Sequence, residues 1–134
     1  MVPTSESAPI DWVALRGWYV VSDEVLRIFD RCCDVARTLL NGESPATLRE
    51  ATQLGALTAQ ADEWLVGHPC PHESNGAWVT SIAQLFALIT NAIVVRQGLG
   101  LAHDGVLRSM IDDACDTVTE FRGLVLRVAS APSR

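Results

Sequence analysis

The chain has 134 residues, of which 49% are hydrophobic and 19% are charged. This hydrophobic fraction excludes a disordered chain, and the length predicts one domain that buries a core without disulfides or metal ions. The formal charge is −6, whereas nucleic-acid binders typically have a basic surface, so no nucleic-acid partner is predicted. All basic residues are arginines spread along the chain, which indicates a GC-rich genome.

The two ends of the chain, residues 1–9 and 130–134, are predicted to be disordered tails because they are short and rich in Pro and Ser. Residues 10–129 are predicted to form the single domain. The N-terminal segment has neither the basic nor the apolar region of a secretory signal, so a cytoplasmic location is expected. In a reducing cytoplasm the cysteines are expected to be free thiols that pack as small apolar residues. They are Cys32, Cys33, Cys70 and Cys115.

A short N-terminal helix is predicted from its N-cap, Asp11, to about Val20. Its inward side chains are predicted to be Trp12, Leu15 and Trp18 or Tyr19. A first long helix follows, with Ser22 as its N-cap, two acids in its first turn and its end at Asn41-Gly42. Its apolar residues recur at steps of four and three and form one seam: Val25, Phe29, Cys32, Ala36 and Leu39.

A second long helix is predicted to start at Ser44 and Pro45 and to stop at Gly67. Its inner seam is Ala51, Leu54, Leu57, Ala61 and Trp64. The last helix is predicted to start at Asp104, and its apolar residues alternate steps of four and three, as in left-handed bundles. They are Leu107, Ile111, Ala114, Val118, Phe121, Val125 and Val128.

Four long helices joined by short links, with no strand pattern, predict an all-α fold. The expected architecture is an up-down-up-down four-helix bundle with the short N-terminal helix added.

The third long helix, about residues 75–97, has no charged side chain between Ser74 and Val95. One apolar seam is enough for a bundle helix, and this helix has two. The first seam is Val79, Ile82, Phe86, Ile89 and Ile93. The second, turned by roughly 100°, is Trp78, Leu85, Leu88, Ala92 and Val95. A helix that is apolar nearly all round is expected to be buried nearly all round, so the second seam needs a cover.

Three structures could cover the second seam: the N-terminal helix of the same chain, a second copy of the protein through an isologous interface, or a lipid bilayer. A membrane is disfavoured because polar residues interrupt the apolar run and the other long helices are amphipathic. Gln84 and Asn91 lie seven residues apart on one face. They are interpreted as an exposed polar stripe, with a polar site inside the bundle as the alternative.

The string His68-Pro69-Cys70-Pro71-His72 is the most distinctive local motif. In an extended segment its imidazoles and thiol point to one side, and these groups are good ligands for zinc or copper. The two prolines stiffen the segment, however, and the spacing is wide for a single ion. A structural turn between two helices is therefore favoured over a metal site.

These patterns together predict a non-catalytic helical interaction module. It is expected to form a homodimer, or to dock another protein, through the second seam of the third long helix. One alternative is a small-ligand-binding protein or small enzyme with an apolar pocket formed by Trp64, His68, His72, Gln84 and Asn91. A further alternative is metal binding at His68, Cys70 and His72. No cofactor is predicted, and an enzyme is the less favoured interpretation because no pattern marks a nucleophile.

Overall fold

The structure is a computed structural model that describes residues 10–41, 48–95 and 105–130. Five helices make up 92% of these residues and no strand occurs among them, which confirms the all-α prediction. The helices are α1 (Trp12–Val21), α2 (Asp23–Asn41), α3 (Leu48–Gly67), α4 (Glu73–Val95) and α5 (Gly105–Ser130). The third long helix of the sequence prediction is α4.

Some sequence-based expectations concern residues outside these ranges. They are the two predicted tails, apart from Ser130 at the end of α5, the helix start at Ser44 and Pro45, the last two residues of the third long helix, and the start at Asp104.

The start of α1 follows the sequence prediction in part. The carboxylate of Asp11 accepts a hydrogen bond from the backbone N–H of Ala14 at 3.0 Å, which confirms the N-cap. Leu15 is buried as expected, and both Trp18 and Tyr19 are buried where the sequence pattern predicted one of the two. The prediction for Trp12 is wrong, since 69% of its surface is exposed. Helical side chains lean over the preceding turn, and Trp12 is the first residue of its helix, so no such turn lies beneath it.

Ser22 ends α1 and does not act as the expected side-chain cap of α2. Its backbone is in the right-handed helical region, so its hydroxyl faces back and donates to the carbonyl of Trp18 at 2.7 Å. The Ser22 carbonyl accepts from the N–H of Leu26 at 2.9 Å. The chain therefore passes from α1 into α2 through a single buried residue.

The four long helices surround one core. Each packs against the next along the chain and α5 also packs against α2, while α1 packs on α5 and α2. At the centre, Phe29 stacks on Phe86 with ring centroids 6.3 Å apart and meets Phe121 edge-on at 6.1 Å. The predicted inner-seam residues whose side chains are described are buried, apart from the half-buried Val128; the second seam of α4 is described below. This packing is compatible with a bundle.

Candidate functional site

The helix α4 is apolar on more sides than its neighbours cover. Only a third of its most apolar 18-residue stretch is buried. The buried side chains lie on one seam: Val79, Ile82, Ala83, Phe86, Ile89 and Ile93. From Ala77 onward the opposite side, called the outward face below, carries no charge; the exposed Glu73 lies one turn before it. It consists of Ala77, Gln84, Leu88, Asn91 and Val95, all exposed.

The flank of α4 between the core and the outward face is covered by α5. The ring of Trp78 meets Phe121 of α5 edge-on, with centroids 5.9 Å apart. Three of the five predicted interface residues are half-buried against the core: Trp78, Leu85 and Ala92. The other two are exposed, Leu88 by 55% and Val95 by 82%. The uncovered part of the second seam is therefore narrower than the sequence pattern suggests.

The two polar residues of α4 lie apart from the rest of the predicted ligand pocket. Gln84 and Asn91 are exposed on the outward face. At about 1.5 Å of rise per residue, they lie about 14 and 24 Å along the helix from Asn75 in its first turn. The other pocket candidates lie around the connection between α3 and α4: Trp64, His68 and His72.

An open groove of about 680 Å³ runs between α4 and α5. Trp78 and Leu124 give it apolar surface, and Asn75 and Arg127 are among the polar residues that line it. The sequence predicts a pocket that contains Trp64, whereas the tryptophan of this groove is Trp78.

Trp64 and His68 form a packed unit at the end of α3. The imidazole of His68 stacks on the buried Trp64 ring with centroids 4.3 Å apart, and its Nδ1 lies 2.9 Å from the Trp64 carbonyl. The Trp64 indole N–H donates to Glu24 Oε2 at 3.1 Å, and the Trp18 indole N–H donates to the His68 carbonyl at 2.7 Å. These bonds join the end of α3 to α1 and α2.

The other half of the connection is tied to α1 and α4. Nδ1 of His72 is hydrogen-bonded to Oδ1 of Asn75, whose Nδ2 donates to the Tyr19 hydroxyl at 2.6 Å. Burial raises the pKa of the Tyr19 hydroxyl, against the hydrogen bond from Asn75. The side chain of His72 is thus part of a bridge between two helices.

Cys70, at the middle of the motif, packs against the first turn of α4. A Cβ placed on Gly76 would lie 2.9 Å from the Cβ of Cys70, so this close approach requires glycine. Within the described ranges, no group of three or more His, Cys, Asp or Glu side chains is arranged to hold a metal ion. The motif acts in the structure as the turn that joins α3 to α4.

A cleft that no sequence pattern indicates lies between α2 and α5. Cys33 and Cys115 both line this cleft of about 320 Å³. Each cysteine follows a seam residue, Cys32 or Ala114, by one position, which places both on helix flanks. This one-residue offset from the seam is the sequence feature that could have indicated the thiol pair. It is informative only once α2 and α5 are known to be neighbours.

The electrostatic surroundings distinguish three of the thiols. Because the Cys33 S–H donates to Cys115, the pKa of Cys33 is raised, and burial raises it further. The same hydrogen bond lowers the pKa of Cys115, with help from the guanidinium of Arg37. Burial raises the pKa of Cys32, which has no exposed surface, to about 12. Cys115 is therefore the thiol of this group that ionises most readily.

The sequence matches no protein-family model, and no curated protein or solved structure is significantly similar to it. Function is therefore inferred from the α4 face, the groove and the thiol cleft.

Among the described helices, Glu73–Val95 is long and apolar enough to cross a membrane by length and composition. The central helix of a bundle meets the same criterion, and the inner seam of α4 is buried against its neighbours.

Proposed function

We propose that the protein is a non-catalytic helical interaction module that forms a homodimer through the outward face of α4. The observation that carries this proposal is the uncharged stretch from Ser74 to Val95 in a chain of net charge −6. That stretch leaves Leu88 and Val95 exposed. An uncharged face with exposed aliphatic side chains is what an isologous interface needs, because each residue there meets its own copy or a close neighbour.

The outward surfaces of the neighbouring helices differ from that of α4. On α2, Arg27 and Asp23 form an exposed ion pair at 2.8 Å, and on α5 Asp112 and Asp116 are exposed. Two protomers of charge −6 repel each other at long range. Contact through the uncharged face avoids placing like charges opposite each other, which supports α4 as the contact surface.

The available area supports a dimer in which α5 contributes beside α4. The 23 residues of α4 make it about 34 Å long, and packed helices are spaced about 8–10 Å apart. A surface two helices wide therefore measures roughly 700 Å², against about 800 Å² per partner in a standard interface.

Sedimentation equilibrium over a wide range of concentrations tests the homodimer. We expect the wild type to approach twice its 14.5 kDa mass, and Leu88→Glu to weaken association on the order of a hundredfold or more. The control is Val66→Glu on α3, because Val66 is 83% exposed and lies on neither α4 nor α5. A wild type that stays monomeric throughout, or a control that dissociates equally, would contradict the proposal.

A second candidate function is the binding of a small apolar molecule in the α4–α5 groove, which Glu120 and Arg127 both line. Its volume falls within the range of about 300–1,000 Å³ typical of ligand sites, and Trp78 and Leu124 lie beside Arg127. Titration with an aromatic sulfonate dye tests this function. We expect saturable binding that Trp78→Ala abolishes and Leu126→Ala preserves; equal binding by both variants counts against it.

The finer topology is also a proposal: α2 to α5 run up-down-up-down, with α1 added. Asp30 of α2 forms an ion pair with Arg122 of α5, and three residues later Cys33 contacts Cys115, seven residues earlier in α5. This opposite order supports antiparallel packing. The indole–carboxylate bond described above likewise joins the end of α3 to the start of α2. Cross-links between the starts of two neighbouring helices would contradict this topology.

A further inference from the structure

We propose that Cys33 and Cys115 form an oxidation site at which a hydroperoxide generates an intramolecular disulfide between α2 and α5. The two thiols lie on helices that pack against each other and line the same cleft. They are close enough for each to shift the pKa of the other. This site is separate from the outward face of α4, so the inference does not depend on the proposed dimer.

The cleft favours a small oxidant. Its volume of about 320 Å³ exceeds several times the roughly 30 Å³ that one water molecule occupies in the liquid. Only 7% of Cys33 and 2% of Cys115 is exposed, so a bulky reagent meets little sulfur surface. An ion pair between Asp30 and Arg122 lies across the same cleft and holds α2 and α5 together beside the thiols.

The surroundings assign different roles to the two thiols. Cys115 is the nucleophile, because the hydrogen bond from Cys33 and the charge of Arg37 favour its thiolate. Asp112 and Asp116 on α5 act in the opposite direction. Cys33 keeps its proton until the first step is complete and then acts as the resolving thiol.

The chemistry balances in two steps. The Cys115 thiolate attacks one oxygen of hydrogen peroxide, the O–O bond breaks, and hydroxide leaves and takes up a proton to form water. Cys115 is now a sulfenic acid. The Cys33 sulfur then attacks the Cys115 sulfur, the S–O bond breaks, and the departing hydroxide takes the Cys33 proton to form a second water. The two thiols lose two electrons in total, and the peroxide gains them.

Cys32 provides a matched internal control. It neighbours Cys33 in sequence but is fully buried on the core seam, and it is not among the residues that line the cleft. Its exclusion from the reaction therefore distinguishes a specific site from general oxidation of cysteines.

Hydrogen peroxide treatment of the native chain, followed by non-reducing peptide mapping, tests the site. We expect one intramolecular Cys33–Cys115 disulfide, formed at the wild-type rate in Cys32→Ser and lost in Cys115→Ser. In Cys33→Ser we expect a sulfenic acid on Cys115, which dimedone traps when the peroxide-treated chain is unfolded in its presence. A wild-type map with no Cys33–Cys115 peptide, or with Cys32 or Cys70 as the oxidised partner, would overturn the proposal. Because the wild-type map decides the linkage, this result holds even if a variant fails to fold.

Discussion

Phe121 of α5 makes ring contacts with three other helices, and its removal tests the described packing. The ring has no exposed surface. Its centroid lies 6.5 Å from that of Tyr19 in α1, 6.1 Å from Phe29 in α2 and 5.9 Å from Trp78 in α4. A change at this one position therefore weakens contacts between α5 and three neighbours at once.

The expected magnitude follows from burial and from these ring pairs. Truncation of a buried phenylalanine to alanine costs about 3–5 kcal/mol in general, and aromatic pairs add about 0.5–1.5 kcal/mol each. We expect Phe121→Ala to lower the free energy of unfolding by about 5 kcal/mol. Phe121→Leu fills most of the cavity but loses the ring pairs, so we expect about 2 kcal/mol.

Urea unfolding followed by circular dichroism measures these differences by linear extrapolation. Leu126→Ala is the control, since it lies on the same helix and is 60% exposed, and we expect it to change stability by less than about 0.5 kcal/mol. The described packing would be refuted if Phe121→Ala cost no more than Leu126→Ala.

Three further predictions concern local features. Gly76→Ala should lower the free energy of unfolding by about 1–3 kcal/mol, because the new methyl meets Cys70 at 2.9 Å. Gly17→Ala should raise the free energy of unfolding by about 0.5–1 kcal/mol, because nothing lies within 4 Å of the new methyl. Thermal melts of both variants check that the two effects have opposite signs. The rate at which iodoacetamide alkylates Cys115 should rise with pH to a plateau, with a midpoint below the ordinary thiol pKa of 9.0. The reason is that the lowered pKa of Cys115 increases its thiolate fraction. A midpoint above 9.0 would contradict the electrostatic account. The Cys33–Cys115 disulfide should raise the free energy of unfolding by about 2–4 kcal/mol, because it closes a loop of about 80 residues. This prediction would be contradicted if the oxidised and reduced chains had the same urea midpoint.

The sequence alone predicts the helices and their inward faces well. The seam from Leu107 to Val125 is buried throughout, because an alternation of four and three residues keeps one stripe on one side of a helix. The cap at Asp11 is also predictable, since it needs only a carboxylate and free N–H groups three residues on. The role of Ser22 was not predictable from the sequence. Whether Ser22 ends α1 or caps α2 depends on whether the chain turns at that residue.

Contacts between helices are beyond the reach of periodicity. The second seam of α4 marks Trp78 and Leu88 as equivalent, yet α5 covers the first and leaves the second 55% exposed. The thiol pair has the same origin, since Cys33 and Cys115 are 82 positions apart and meet only because α5 packs back against α2. Which flank of a helix is covered depends on tertiary neighbours, which a single sequence does not specify.

The outward face of α4 is the centre of the proposed function, and photo-cross-linking tests it most directly. Gln84 is exposed on this face, next to Leu88 one turn away, so benzoylphenylalanine at position 84 samples whatever lies against it. A mixture of ¹⁴N- and ¹⁵N-labelled chains distinguishes links between protomers from links within one. We expect mixed-isotope products with both ends in residues 73–95. Cross-links confined to single chains, or mixed products that end outside α4 and α5, would contradict a dimer built on this face.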